Sequence, residues 1–199
     1  STKFYRVFDA KTDFLGLDIN SLRHIITPTL GYLYTHPPTI PASNLWQIDG
    51  VDSTTRGNTA ALGLSNKLQT KRNGQSLDLL DFLITTNYVL DPKKGDNAFL
   101  TAREGDGLKN NFTDILFNLK VLPYSWLRWE SDATFAHANH AGVNYNKFSL
   151  ANYTITFDLK KSSFFIGQRY ERKGKNEVTA GFDWRLNPKW KFSVYQRYN

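Results

Sequence analysis

The strongest regularity in this chain is the alternation of apolar and polar side chains. Val178, Ala180, Phe182, Trp184 and Leu186 alternate with Thr179, Gly181, Asp183 and Arg185, the period-two pattern of a strand with one apolar face. Asn187-Pro188 supplies a turn, and Trp190, Phe192 and Val194 resume the alternation against Lys191 and Ser193, which predicts a hairpin. Upstream, Tyr153, Ile155, Phe157 and Leu159 alternate with Thr154, Thr156 and Asp158, and a partner strand runs from Phe164 to Tyr170 after Lys160-Lys161-Ser162-Ser163. Leu127, Trp129, Ala133 and Phe135 alternate with Arg128, Glu130, Asp132 and Thr134, preceded through Pro123-Tyr124-Ser125 by a strand carrying Ile115, Phe117, Leu119 and Val121. Leu62, Leu64 and Leu68 alternate with Gly63, Ser65 and Lys67, and Leu80, Phe82, Ile84, Tyr88 and Leu90 follow the turn signal Asn73-Gly74. Lys3 to Asp9 and Leu22 to Thr35 complete ten predicted strands.

At roughly 8 to 14 residues each, these strands exceed the globular mode of about 5 to 6 and match the ~9–11 residues of a tilted strand crossing a bilayer. Their connections sort by length. His36 to Arg56 and Asp91 to Asn111 are long and polar, Ala138 to Tyr145 and Glu171 to Asn176 are intermediate, and those at 71–75, 123–125, 160–163 and 187–188 are short. Every tight turn therefore falls at one end of the sheet, as in outer-membrane barrels with short periplasmic turns and longer external loops. Aromatic residues near strand ends (Tyr32, Tyr34, Tyr88, Tyr124, Trp126, Trp190, Tyr195 and Tyr198) suit interfacial girdles. The expected fold is an all-β, antiparallel, up-and-down transmembrane β-barrel of about ten strands, or a ten-strand portion of a larger barrel, with residues 1–199 as one domain.

Composition narrows the classes. Of 199 residues, 40% are hydrophobic and 15% aromatic, too apolar for a disordered segment. No run approaches the ~18 apolar residues of a membrane-spanning helix, so contact with a membrane would be through strands. The absence of cysteine excludes disulfides and thiolate metal sites. A net charge of +7 suits nucleic acid, anionic lipid or a polyanionic surface alike.

The segment Leu22-Arg23-His24-Ile25-Ile26-Thr27-Pro28-Thr29-Leu30-Gly31-Tyr32-Leu33-Tyr34 resembles the LPS-assembly (organic solvent tolerance) LptD family, whose carboxy-terminal barrel carries a strand of His or aromatic, apolar, Pro, then Leu and alternating Tyr. The long loop after it and Gly57 to Lys71 resemble the family's next strand, and the similarity is strongest from Leu22 to Leu90. It implies an outer-membrane protein that inserts lipopolysaccharide into the outer leaflet, with outer-membrane lipid and lipopolysaccharide as partners and a plug lipoprotein inside a full-size barrel. Family barrels are much larger and follow a periplasmic jelly-roll domain, so this chain is expected to be a fragment or a trimmed piece. The ending Tyr198-Asn199, without the terminal Phe or Trp of many barrel assembly signals, counts against the membrane reading; together with the lack of an amino-terminal targeting segment it also leads us to expect a trimmed piece. As an isolated ten-strand chain it is expected to act as a membrane scaffold or small pore.

Two sets of side chains carry that reading. Arg128, Glu130, Asp132, Thr154, Thr156, Asp158, Thr179, Asp183 and Arg185 are the expected lumen-facing polar residues; Leu127, Trp129, Phe135, Tyr153, Ile155, Phe157, Phe182, Trp184 and Leu186 are the expected lipid-facing ones. Pro28 cannot donate to a strand ladder and is expected at a bulge rather than an edge. The basic runs Lys160-Lys161 and Arg169, Arg172, Lys173, Lys175 are candidates for lipid phosphates, with solvated charge as the simpler reading. His137-x-x-His140 offers two imidazoles, too few for a metal site. No nucleophile elbow, phosphate loop or zinc-protease motif occurs, so no catalytic residue, cofactor or enzymatic role is expected. The alternatives are a soluble lipocalin-like barrel binding a small apolar ligand, which would turn its apolar face inward, and, ranked below it, a nucleic-acid-binding β domain, which would need neither long strands nor sorted loops.

Overall fold

The computed structural model describes residues 1–36, 39, 57–72, 74–90, 111–136, 139–140, 143–144 and 146–199. The alternating segments form β1 (Phe4–Thr12), β2 (Ile19–Thr35), β3 (Gly57–Arg72), β4 (Gln75–Val89), β5 (Ile115–Tyr124), β6 (Leu127–Ala136), β9 (Lys147–Asp158), β10 (Ser162–Glu171), β11 (Asn176–Arg185) and β12 (Lys191–Tyr198). Between β6 and β9 a small hairpin, β7 (Asn139–His140) with β8 (Val143–Asn144), occupies what the sequence reads as a plain linker. The ten long strands make one antiparallel sheet in the order β1-β2-β3-β4-β5-β6-β9-β10-β11-β12. Apart from the β7–β8 insertion, each strand pairs with its sequence neighbour, the up-and-down connectivity expected of tight turns.

The sheet is open. Among the described residues β1 pairs with β2 alone and β12 with β11 alone, so the all-β antiparallel architecture is formed and the described strands do not close into a barrel. It is also a single layer, and among the described residues the fully buried apolar side chains are Val89 and Ala136. A water-soluble domain packs a second layer onto its apolar face.

Several boundaries differ from the alternation alone. β2 begins at Ile19 rather than Leu22, and the β1–β2 connection tightens into a 3-10 turn at Phe14–Gly16. β5 continues through Pro123 to Tyr124, leaving Ser125 and Trp126 as the turn. β11 ends at Arg185, so Leu186, expected on the lipid face, lies in the turn, its N–H donating to Trp190 O at 3.0 Å. Gly74 has φ +77°, the left-handed backbone that a tight hairpin requires and glycine supplies. Pro28 stands opposite Leu64 in unbroken register, and the irregularity in β2 falls between Asn20 and Leu22. The expected bulge at Pro28 is therefore absent: β1 pairs with β2 only up to Ile26, so Pro28 faces a half-open edge where no donor is needed.

Candidate functional site

Register sorts the side chains onto two faces across the whole sheet. On one face Leu127, Trp129, Phe135, Tyr153, Ile155, Phe157, Phe182 and Trp184 stand in line through the pairs Leu127↔Phe157, Trp129↔Ile155, Ile155↔Ile166, Phe157↔Phe164 and Phe164↔Phe182. The row continues into β5, β4 and β3 through Val121↔Trp129, Leu80↔Val121 and Leu68↔Leu80. On the other face lie Arg128, Glu130, Asp132, Thr154, Thr156, Asp158, Thr179, Asp183 and Arg185, joined by Arg128↔Thr156, Asp132↔Asn152, Ser163↔Asp158, Gly167↔Thr179 and Ser163↔Asp183. Leu186 excepted, each expected set shares one face. The apolar face has polar exceptions, with Arg6 opposite His24 and Asn66 opposite Phe82.

The apolar face is no better covered than the polar one. Phe182 and Trp184 are 39% and 46% exposed, whereas Thr156 on the polar face is buried at 8%. Polar-face side chains shield one another, as they do where a sheet curls toward that side. Phe165 contributes by lying over Gly181, where a Cβ would overlap its ring, an aromatic covering a strand glycine.

The polar face is charged and internally paired. Lys191 Nζ lies 3.0 Å from Asp183, and Arg197 lies 3.7 Å from Glu177. A chain of charges crosses β5, β6 and β9: Lys120 to Glu130 at 3.4 Å, Glu130 to Arg128 at 3.5 Å, and Arg128 to Asp158 at 3.8 Å. Asn152 Nδ2 donates to Asp132 at 2.8 Å. Lys67 bridges Asp78 at 2.9 Å and Asp81 at 3.0 Å, and Gln69 Nε2 donates to Asp78 at 2.6 Å. Arg185 stands opposite Lys191, a like-charge pair relieved by the ammonium's lean toward Asp183. Beside Lys67 a shallow trough of about 460 Å³ is lined by Lys3, Arg23, Ile25, Thr27, Ser65, Lys67 and Gln69. The Arg23 guanidinium sits 4.8 Å from the centre of the Tyr5 ring.

Aromatic contacts lie at both ends of the apolar face and also reach its middle, where Phe82 stacks on Phe117 at 6.2 Å. Toward the tight turns, Tyr124 stacks on Trp126 at 4.9 Å, Trp126 on Phe157 at 6.2 Å, and Phe157 meets Phe164 at 6.3 Å. Toward the long connections, Tyr88 meets Phe112 at 5.0 Å and Phe135 meets Phe148 at 5.3 Å. Tyr195, expected in a girdle, instead stands opposite Gly181 on the polar face.

Sequence reasoning missed Lys67, Asp78, Asp81, Lys120, Glu177, Lys191 and Arg197 as members of separate ion-pair groups. Alternation identifies the face of Lys67, but Asp78 and Asp81 share it only because the β3–β4 register shifts between Leu68 and Gln69, a bulge the pattern does not show. The basic runs are not brought together: Lys160 and Lys161 lie in the tight turn before β10, and Arg172 to Lys175 lie in the turn after it. His137 lies outside the described residues, and His140 is described only as part of the backbone of β7. The long connections fall almost wholly outside them too. Among the described residues no group of three or more His, Asp or Glu converges as metal ligands. No family model matches the chain, and no curated protein matches it.

Proposed function

We propose that this chain forms part or all of an outer-membrane β-barrel wall of the LptD type and serves the insertion of lipopolysaccharide into the outer leaflet. The observation that carries the membrane reading is the two-faced layer of β6 to β11, with large apolar side chains exposed on one face and an ion-paired polar face behind; toward β1 to β5 the sorting is looser, Tyr5, Val7, Leu33, Leu83 and Leu116 standing exposed on the polar face. In water, each large side chain exposed on the apolar face forgoes about 1.5–3 kcal/mol of burial; in hydrocarbon that cost disappears. A lipocalin-like barrel would bury the apolar face instead. Pairing of the polar-face charges on β5 to β12 leaves a polar surface of mixed sign, suited to a scaffold or a small water-filled path, while the trough of Lys3, Arg23 and Lys67 adds a basic patch toward β1 to β3. The lipopolysaccharide assignment rests on the resemblance of Leu22 to Leu90.

The test is refolding into phosphatidylcholine vesicles, read by the difference in gel migration between unheated and boiled samples, followed by conductance in a planar bilayer. Discrete stable current steps are expected if ten strands close; folded, inserted protein without current indicates a plugged or partial barrel. A monodisperse, folded chain in plain buffer that ignores vesicles overturns the membrane reading. A photo-crosslinker replacing Tyr32, on the apolar face toward the long connections, should capture lipopolysaccharide added to the vesicles in preference to phospholipid; equal capture overturns the lipopolysaccharide assignment alone.

A further inference from the structure

The β1–β2 turn projects two large apolar side chains, Phe14 at 71% and Leu15 at 73% exposure. Leu15 has φ +56°, a left-handed backbone that costs an L-residue about 1–2 kcal/mol, so its conformation is imposed by its surroundings. Those surroundings are two side chains from other hairpins. Tyr124 Oη donates to Leu15 O at 2.6 Å. Arg72 donates through Nη2 to Leu17 O, through Nε to Asp18 O at 3.4 Å, and through Nη2 to Pro123 O at 2.6 Å. Three successive tight turns are thereby clasped at one end of the sheet.

The clasp places the turn on a particular side. Tyr124 pairs with Leu127 and stacks on Trp126, which stacks on Phe157, so the Tyr124 hydroxyl ties the Leu15 carbonyl, and with it the turn that carries Phe14 and Leu15, to the aromatic group at the tight-turn end of the apolar face. The turn's backbone is also largely satisfied from within the protein. Besides the carbonyls above, Asp13 O accepts from Gly16 N–H at 2.9 Å and Phe14 O from Leu17 N–H at 3.2 Å. Phe14 N–H donates to Thr12 Oγ1 at 3.1 Å and Asp18 N–H to Asp13 Oδ1 at 3.2 Å. Turns in water are often paired in this way too; for backbone dipping below lipid headgroups the pairing is a requirement, and this turn meets it.

We infer that the Phe14-Leu15 turn is a membrane anchor, seated at the headgroup and acyl-chain boundary of the leaflet on the tight-turn side. The inference rests on the membrane reading above and adds the element that holds the barrel's depth. Apolar side chains on a rigid, internally bonded turn enter that boundary without leaving polar backbone unpaired.

Because the chain has no cysteine, single cysteines can carry an environment-sensitive fluorophore in the full chain refolded into phosphatidylcholine vesicles doped either with lipid bearing a nitroxide near the headgroup, read for the turn labels, or with lipid bearing it deep in the acyl chain, read for Ile155. Labels at Phe14→Cys, at Ile155→Cys on the apolar face, and at Lys161→Cys in another tight turn are compared. Quenching of the Phe14 and Ile155 labels, with the Lys161 label unquenched, is the expected result. An unquenched Phe14 label beside a quenched Ile155 label overturns the anchor and leaves the membrane reading standing; failure of both to quench removes both. Combining Phe14→Cys with Arg72→Gln and Tyr124→Phe should bring its quenching down to that of the Lys161 label, provided heat-dependent gel migration shows the barrel still folded. Unchanged quenching in that folded variant would mean that the clasp does not seat the turn, and would overturn its role.

Discussion

At the scale of single residues, the polar face depends on side chains whose positions relative to one another are set by register. Asp78 and Asp81 are three apart, which in a regular strand places them on opposite faces; the bulge near Leu79 puts both beside Lys67. Removing that lysine leaves two carboxylates facing each other. We expect Lys67→Ala to destabilise the folded chain by about 1 kcal/mol, with the half-exposed setting keeping the effect small, and Asp78→Asn to recover part of the loss. Denaturant midpoints in vesicles would measure both. The packing of Phe165 over Gly181 gives a sharper expectation. Gly181→Ala should cost about 1–3 kcal/mol through overpacking, and Phe165→Val in the same chain should return much of it; an additive double variant would show that the ring does not depend on the glycine. The face of Gly181 is legible in the sequence, but its cross-strand partner is not.

At the scale of elements, alternation identifies strands well because period two is a local property. It underestimates their lengths where polar residues dilute it: β2, β3 and β4 run to 17, 16 and 15 residues, and β9 starts at Lys147, well before Tyr153. β9 is extended through a register shift opposite Thr134 and Phe135, and such shifts are invisible in one strand alone. The two faces make opposite predictions for the same substitution. Ile155→Arg should cost about 2–4 kcal/mol in a bilayer, as expected for a charge near the midplane on the lipid side of a barrel. Thr154→Arg, one residue away on the polar face, should cost far less. Folding titrations in vesicles distinguish them, and equal costs would argue that neither face meets lipid.

At the scale of the whole molecule, a single open layer with two unpaired edge strands cannot remain dispersed in water, because exposed apolar area and free strand edges both recruit other chains. Light scattering should show concentration-dependent association in plain buffer and its loss when detergent micelles cover the apolar face. A monomer stable in buffer would contradict this account. The sequence by itself determined the all-β class and which members of each predicted set share a face, apart from Leu186, because both follow from spacing along the chain; the expected sorting of tight turns to one end fails at β10–β11, whose connection is the four residues 172–175. Only the tertiary structure decided which charges pair, where the register slips, that Pro28 needs no bulge, that Tyr195 leaves the aromatic rim, and that Arg72 and Tyr124 clasp the Phe14-Leu15 turn. Those features join residues as many as 109 positions apart, and contacts over such separations depend on how neighbouring strands align, which no local period encodes.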